Sequence, residues 1–145
     1  MSTTAAAVSQ SEPPHDLLPE PTFEKRIMVV EDDPGLVQLY RILLHARGYR
    51  VLTAADGEEA LQAYRRDGPG IDLLIVDLRL PRVDGIEVLR RIRAAGMNPR
   101  VLVCSGVVKR DVERSLEALG ATHFLAKPFR NREMLNEVER ALAAA

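Results

Sequence analysis

Four apolar runs in this chain end in groups that can do chemistry. Ile27-Met28-Val29-Val30 runs into Glu31, Asp32 and Asp33, followed by Pro34. Leu73-Leu74-Ile75-Val76 ends in Asp77, Val101-Leu102-Val103-Cys104 in Ser105-Gly106, and Phe124-Leu125-Ala126 in Lys127-Pro128. Two carboxylates about 4 Å apart repel by roughly 4 kcal/mol at an effective dielectric near 20. A helix N-terminus, a basic side chain or a bound cation must offset that repulsion. Glu31, Asp32 and Asp77 are hard oxygen donors with few other ligands in sight, which describes an open Mg2+ site rather than a closed structural one. Lys127 is one of three lysines against 17 arginines, so a lysine at that place stands out. Ser105 offers a hydroxyl donor, and Gly106 leaves room for an incoming group. Carboxylates, a divalent cation, a lysine and a hydroxyl are the parts for phosphoryl transfer. With a carboxylate as the attacking group, the product is an acyl phosphate.

These residues converge only if the elements carrying them alternate. Strands are predicted at Arg26–Val30, Tyr49–Ala54, Asp72–Asp77, Val101–Cys104 and His123–Ala126. Each is followed by a helical stretch. Asp33 precedes Pro34 at a helix start that closes near Arg47-Gly48, and Asp56, Asp84 and Asp111 read as N-caps of the next three helices. The last helix runs from about Asn131 to Ala143. Five strand–helix repeats mean a doubly wound α/β fold with a parallel sheet and helices on both faces. In the order 2-1-3-4-5 the first and third strands are neighbours, which brings Asp32 and Asp77 together at the carboxyl end of the sheet.

The chain has 145 residues, enough for one domain with a sizeable core. Hydrophobic residues make up 46% and charged residues 28%, values of a globular chain. The net charge of −1 carries no bias toward nucleic acid or a membrane surface. The lone Cys104 excludes an internal disulfide framework and reads as a small buried hydrophobe in a reducing compartment. No apolar run reaches membrane-spanning length, and the N-terminus lacks the features of a signal peptide, so a cytoplasmic location is expected. Residues 1–24 hold four of the nine prolines and four acids but no Lys or Arg, and read as a flexible acidic tail ahead of a domain over residues 25–145. Arg90, Arg91 and Arg93 read as a solvated helix face. His15, His45 and His123 fall outside the constellation.

The stretches VVEDDP, LLIVDLRLPRVDG, VLVCSG and FLAKPF, each at a strand end and in this order, resemble a response-regulator receiver domain of two-component signalling, chemotaxis-regulator-like in extent. The resemblance covers residues 25–145 and implies a flavodoxin-like five-stranded fold. It implies that Asp77 is the phospho-acceptor, and that Glu31 and Asp32 are the acid pair, with Asp32 a direct ligand of Mg2+. It further implies the Arg79 backbone carbonyl as a metal ligand and Lys127 as the phosphoryl contact. Ser105 matches the switch hydroxyl, Phe124 the aromatic rotamer switch, and Lys127-Pro128 a step that is often cis. The implied partners are a sensor histidine kinase or histidine phosphotransfer protein, with a second copy or a downstream protein on residues 111–143. Direct nucleic-acid binding and membrane association are not expected. Such a domain is no enzyme toward other substrates and catalyses only its own phosphorylation and dephosphorylation. Arg79 and Val107 occupy the two variable positions that flank the access route of hydrolytic water. Arg130 stands where a capping Asp or Ser is common, and Asn131 is expected to cap instead.

Three alternatives share parts of this pattern. An aspartyl-phosphate hydrolase of the haloacid type needs a second Asp two residues after the nucleophile, where this chain has Arg79. A flavodoxin-like cofactor binder would cradle phosphate in the first loop, where Glu31-Asp32-Asp33 would repel it. A phosphorylation-independent receiver, acting only as an interaction module, stays open. Met1 with its leader and the RALAAA end lean toward a stand-alone protein.

Overall fold

The structure, a computed structural model, describes residues 25–106 and 108–144. The acidic tail expected over residues 1–24 and the water-access position Val107 lie outside the described residues. Strand β1 (Arg26–Val30) leads to helix α1 (Pro34–Ala46), and β2 (Arg50–Ala54) to α2 (Gly57–Asp67). A 3-10 turn at Gly68–Gly70 then precedes β3 (Leu73–Val76) and α3 (Gly85–Ala94). The chain continues through β4 (Arg100–Ser105), α4 (Arg110–Ala118), β5 (Ala121–Ala126) and α5 (Asn131–Ala143). The strands are parallel in the order β2-β1-β3-β4-β5, as the alternation predicts.

Successive side chains of a strand point to opposite faces, and the sheet divides the core accordingly. Met28, Val30, Leu74, Val76, Val101 and Val103 pack with α2, α3 and α4 through Leu61, Tyr64, Val88, Leu89, Ile92 and Leu116. Ile27, Val29, Leu73, Ile75, Leu102 and Cys104 pack with α1 and α5 through Tyr40, Leu44, Met134, Leu135, Val138 and Ala141. β3 is buried at every residue, which is why its sequence is an unbroken LLIV with no alternation. Each such side chain contributes roughly 1.5–3 kcal/mol on leaving water. That anchors the strand carrying Asp77 more firmly than either edge strand.

The helix starts follow the expected chemistry at three of the places named. Asp33 accepts from the Gly35 N–H at 2.9 Å, Asp56 from Glu59 at 2.8 Å and Asp84 from Glu87 at 2.9 Å. Asp111 is a correction. The N-cap of α4 is Lys109, without a side-chain cap bond, and Asp111 lies in the first turn with Glu113. There the two acids favour the helix N-terminus by charge alone. The last helix also differs from expectation: Arg130 is its N-cap, and the Arg130 N–H donates to Glu133 Oε1 at 2.8 Å. Asn131 is the first helical residue. Strand β5 begins two residues before the predicted His123, because Thr122 is an extra residue in the ladder. Val101 pairs with Ala121, but Leu102 pairs with His123. The Lys127–Pro128 peptide is cis.

Candidate functional site

The strand ends converge through backbone bonds before any side chain is considered. The Glu31 N–H donates to Ala54 O at 3.0 Å, Asp77 N–H to Val30 O at 3.1 Å and Lys127 N–H to Ser105 O at 2.8 Å. These bonds carry the sheet register one residue past the strands, so Glu31, Asp77 and Lys127 leave rigid backbone. Gly85 completes the floor. A Cβ there would run into the Asp77 carbonyl oxygen and lie 2.9 Å from Leu78 Cα, so only glycine lets α3 start against the Asp77 backbone. Gly57 does the same for α2, whose first turn lies against the Val83 backbone. Neither glycine was assigned a role from sequence, although each follows a capping aspartate, which is the available signal.

Glu31 is 2% exposed, Asp77 7% and Ser105 6%, while Asp32 is exposed. Lys127 Nζ donates to Glu31 Oε1 and to Asp77 Oδ2, both at 2.7 Å. The other Asp77 oxygen, Oδ1, accepts from Arg79 N–H at 3.1 Å and Ser105 Oγ at 3.2 Å. Glu31 Oε2 accepts from Asp33 N–H at 3.2 Å. Asp33 itself faces α1 as a cap. The structure therefore brings Glu31, Asp32, Asp77, Ser105 and Lys127 together. Arg79 is exposed, and its N–H is tied to Asp77. Phe124 stands one step away, packed against the α2–α4 side of the core and lining a cavity of about 200 Å3 with Ser105, Val108 and Glu113.

Charge at this site is not balanced. Three carboxylates face one ammonium, a surplus of two negative charges. Burial pushes the Glu31 carboxyl above its ordinary range, and the bonds from Lys127 and the Asp33 N–H only partly reverse that. Burial pushes the Lys127 ammonium down, but its hydrogen bonds to Asp77 and Glu31 outweigh burial and hold it above its ordinary value. Glu31, Asp32 and Asp77 each offer one oxygen, all within 4.8 Å of one another. Two oxygens on one octahedral Mg2+ lie at most about 4 Å apart, given bonds of about 2.0–2.1 Å. Small rotamer changes would close that gap, so the oxygen-only, doubly negative donor set fits a hard divalent cation. Cys104 lies behind the site, 1% exposed, its thiol pushed up to about 11 by burial, as a buried hydrophobe should be.

Two features outside the acidic cluster escaped the sequence reading. Arg82 has φ 68°, a left-handed conformation unusual for a side chain of its size. Its guanidinium lies 3.6 Å from Asp56, whose other oxygen caps α2. The pair joins the loop after Asp77 to the loop before α2. The other is Arg93, expected on a solvated face but half-buried among backbone carbonyls. Arg90 and Arg91 are exposed as expected, both paired with Glu87.

Known proteins resemble this chain in sequence and in fold. The Response regulator receiver domain profile matches residues 27–139. The alkaline phosphatase synthesis transcriptional regulatory protein PhoP of Bacillus subtilis is 39% identical over 121 residues, covering 83% of this chain and 49% of that protein. The DNA-binding response regulator MtrA of Mycolicibacterium smegmatis is 37% identical over 83% of this chain and 52% of its own length. The chain thus spans about half the length of these two relatives. The chemotaxis protein CheY of Treponema pallidum is 30% identical, covering 81% of this chain and 82% of that protein. Among solved structures, the CheX–CheY–BeF3–Mg2+ complex of Borrelia burgdorferi contains a chain that superposes with a TM-score of 0.77 at 29% identity, covering 83% of this chain and 90% of that one. With its sheet order, its strand-end acids and a family match spanning most of its length, the chain belongs to the response regulator receiver domain family of two-component systems.

Proposed function

We propose that Asp77 accepts a phosphoryl group from a phosphohistidine donor, a sensor histidine kinase or histidine phosphotransfer protein, in a Mg2+-dependent reaction. The observation that carries this reading is the placement of Asp77. Its carboxylate directly follows the most buried strand and is held at both oxygens by Lys127, Ser105 and the Arg79 N–H. One carboxylate oxygen attacks phosphorus, and the donor's P–N bond breaks. The donor ring carries a proton on its other nitrogen, so the electron pair returned from the P–N bond leaves a neutral imidazole, and an acyl phosphate forms. Glu31, Asp32 and Asp77, with the Arg79 carbonyl, would hold the Mg2+, which supplies positive charge against the phosphoryl oxygens. Lys127 would move from its two carboxylates onto a phosphoryl oxygen, and Ser105 would donate to another. A cleft of about 490 Å3 lined by Leu36, Leu39, Lys127 and Phe129 opens beside the site and gives an apolar seat for the donor. The domain acts only on itself, in both phosphorylation and hydrolysis.

The proposed output is a population shift. Ser105 already faces Asp77, and the cavity behind it has Phe124 in its wall. A phosphoryl group would fix Ser105 in that position and favour Phe124 turned inward, biasing residues 111–143 toward a downstream protein or a second copy. No direct nucleic-acid contact is proposed for this domain, since Arg90 and Arg91 on α3 are spent on Glu87. No helix among the described residues is long and apolar enough to cross a membrane, and a cytoplasmic location fits that reading. The test is incubation with a small phosphodonor or phosphorylated kinase and Mg2+, followed by mass-spectrometric mapping. A base-labile phosphate on Asp77, absent from Asp77→Asn, is expected. Equal labelling of Asp77→Asn would overturn Asp77 as the acceptor, and a parent that takes up no label would favour the interaction-only module.

A further inference from the structure

The C-terminal end of helix α4 is clamped by hydrogen bonds from Arg93 of α3. The Arg93 guanidinium spends its donors on four neutral oxygens. Nε donates to Leu119 O, Nη1 to Met97 O at 3.2 Å and to Asn98 Oδ1, and Nη2 to Pro99 O at 3.2 Å. Among the described residues no carboxylate lies within ion-pair distance of it. Its counter-charge comes from two helix ends, since Leu119 closes α4 and Met97 follows the C-terminus of α3. Gly120 makes the approach possible. It has φ +91°, and a Cβ there would collide with the Arg93 guanidinium. Burial holds the Arg93 pKa below its ordinary value, in keeping with a guanidinium enclosed by carbonyls.

The other end of α4 has no such tie. Lys109 gives no side-chain cap, and Leu116 is the only fully buried residue of the helix. In its first turn Glu113 lines the cavity of about 200 Å3 shared with Ser105, Val108 and Phe124, while Val112 packs against the half-core under α2, α3 and α4. The two ends therefore differ in kind. The N-terminal half borders space beside Ser105, and the C-terminal end is bound to the loop before β4.

From this we infer that Arg93 is the pivot on which α4 turns when Asp77 is phosphorylated, so that the helix swings from its N-terminal end while Leu119 and Gly120 stay in place. This rests on the phospho-acceptor reading of Asp77 and adds to it a positioning residue, remote from the chemistry, that fixes which part of the output surface moves. A fork reaching four oxygens on two segments at once is work for arginine, and a lysine would hold one carbonyl at a time.

The test is amide hydrogen exchange on the full chain across residues 108–120, with and without beryllofluoride and Mg2+, in the parent, Arg93→Met and Arg93→Lys. In the resting state, exchange at Leu119 and Gly120 should quicken about tenfold in Arg93→Met, the scale of one lost charge-assisted hydrogen bond. Arg93→Lys should fall between Arg93→Met and the parent, and it carries the comparison alone should Arg93→Met fail to fold. On adding beryllofluoride, the parent should change over Arg110–Glu113 but not over Glu117–Gly120, and the variants should change over both. Resting exchange equal to the parent's in both variants, or a parent that responds evenly along α4, overturns the pivot while leaving phospho-acceptance intact. No response at the Arg79 amide beside Asp77 overturns the acceptor reading and the pivot with it.

Discussion

Replacing Lys127 by Ala should destabilise the metal-free protein, and Mg2+ should restore what is lost. Lys127 makes two 2.7 Å bonds to carboxylates whose side chains are 3% and 9% exposed, while its own is 24% exposed. Each charge-assisted bond is worth about 1.5–3 kcal/mol, and breaking a buried ion pair from one side costs about 3–5 kcal/mol. Without the ammonium, Glu31 and Asp77 face each other with oxygens within 4.8 Å. At an effective dielectric near 20 that repulsion is roughly 3 kcal/mol. Two effects reduce the total. Lys127 is partly solvated, and Glu31, already raised by burial, takes up a proton. The expected loss at neutral pH is about 2–4 kcal/mol, read from the urea midpoint by far-UV circular dichroism. A cation that binds only the folded state adds about 2.7 kcal/mol at a hundred times its dissociation constant. In the parent it must first displace Lys127 from the carboxylates, so Mg2+ should stabilise Lys127→Ala more than the parent. A variant as stable as the parent without metal, or a larger Mg2+ effect in the parent, would refute the reasoning.

Further outcomes follow from the same geometry. Asp32→Ala should abolish most Mg2+ binding in titration calorimetry, while Asp33→Ala should leave it largely intact and cost about 1 kcal/mol of helix capping; equal loss of binding in both would reassign the ligands. Gly85→Ala should destabilise the fold by roughly 1–3 kcal/mol, because its methyl group meets the Asp77 backbone; an unchanged thermal midpoint would show that the loop yields freely. Glu31 is raised by burial, so between its ordinary value of 4.5 and its raised value the metal-free native state binds more proton there than the unfolded chain does. Its contribution to stability is complete below the ordinary glutamate value of 4.5 and is lost as pH rises through the raised value. The urea midpoint should therefore fall less steeply with rising pH over that window in Glu31→Gln than in the parent, and identical slopes would remove Glu31 as the cause.

The sequence was most legible where one strong constraint acted alone. An acid at the end of LLIV has no reason to sit there unless something needs it, and Asp77 lies where that logic puts it. The caps at Asp33, Asp56 and Asp84 were equally open, since each precedes the first turn of an amphipathic stretch. Asp111 misled because an acid suits both the cap and the first turn, and only the path of the chain leaving β4 chooses between them. The extra residue at Thr122 has no local signature, so β5 read as shorter than it is. Arg93 was hidden by composition, since one arginine among three neighbours looks like any other. Its spacing held a clue: it follows Leu89, a fully buried residue, by four positions, which puts both on one side of α3.

The sheet also acts as a partition. Odd-numbered residues of β1 and β3 serve the half-core under α1 and α5, and even-numbered residues serve the one under α2, α3 and α4. No side chain of these two strands belongs to both. Mutational drift in one compartment is thus screened from the other by a layer of hydrogen-bonded backbone. Helix α1, which would meet a phosphodonor, and helix α4, at the start of the proposed output surface, lie in different compartments and can be rewritten independently. Only the few residues on the carboxyl rim, Glu31, Asp77, Ser105 and Lys127 among them, are obliged to suit both sides at once.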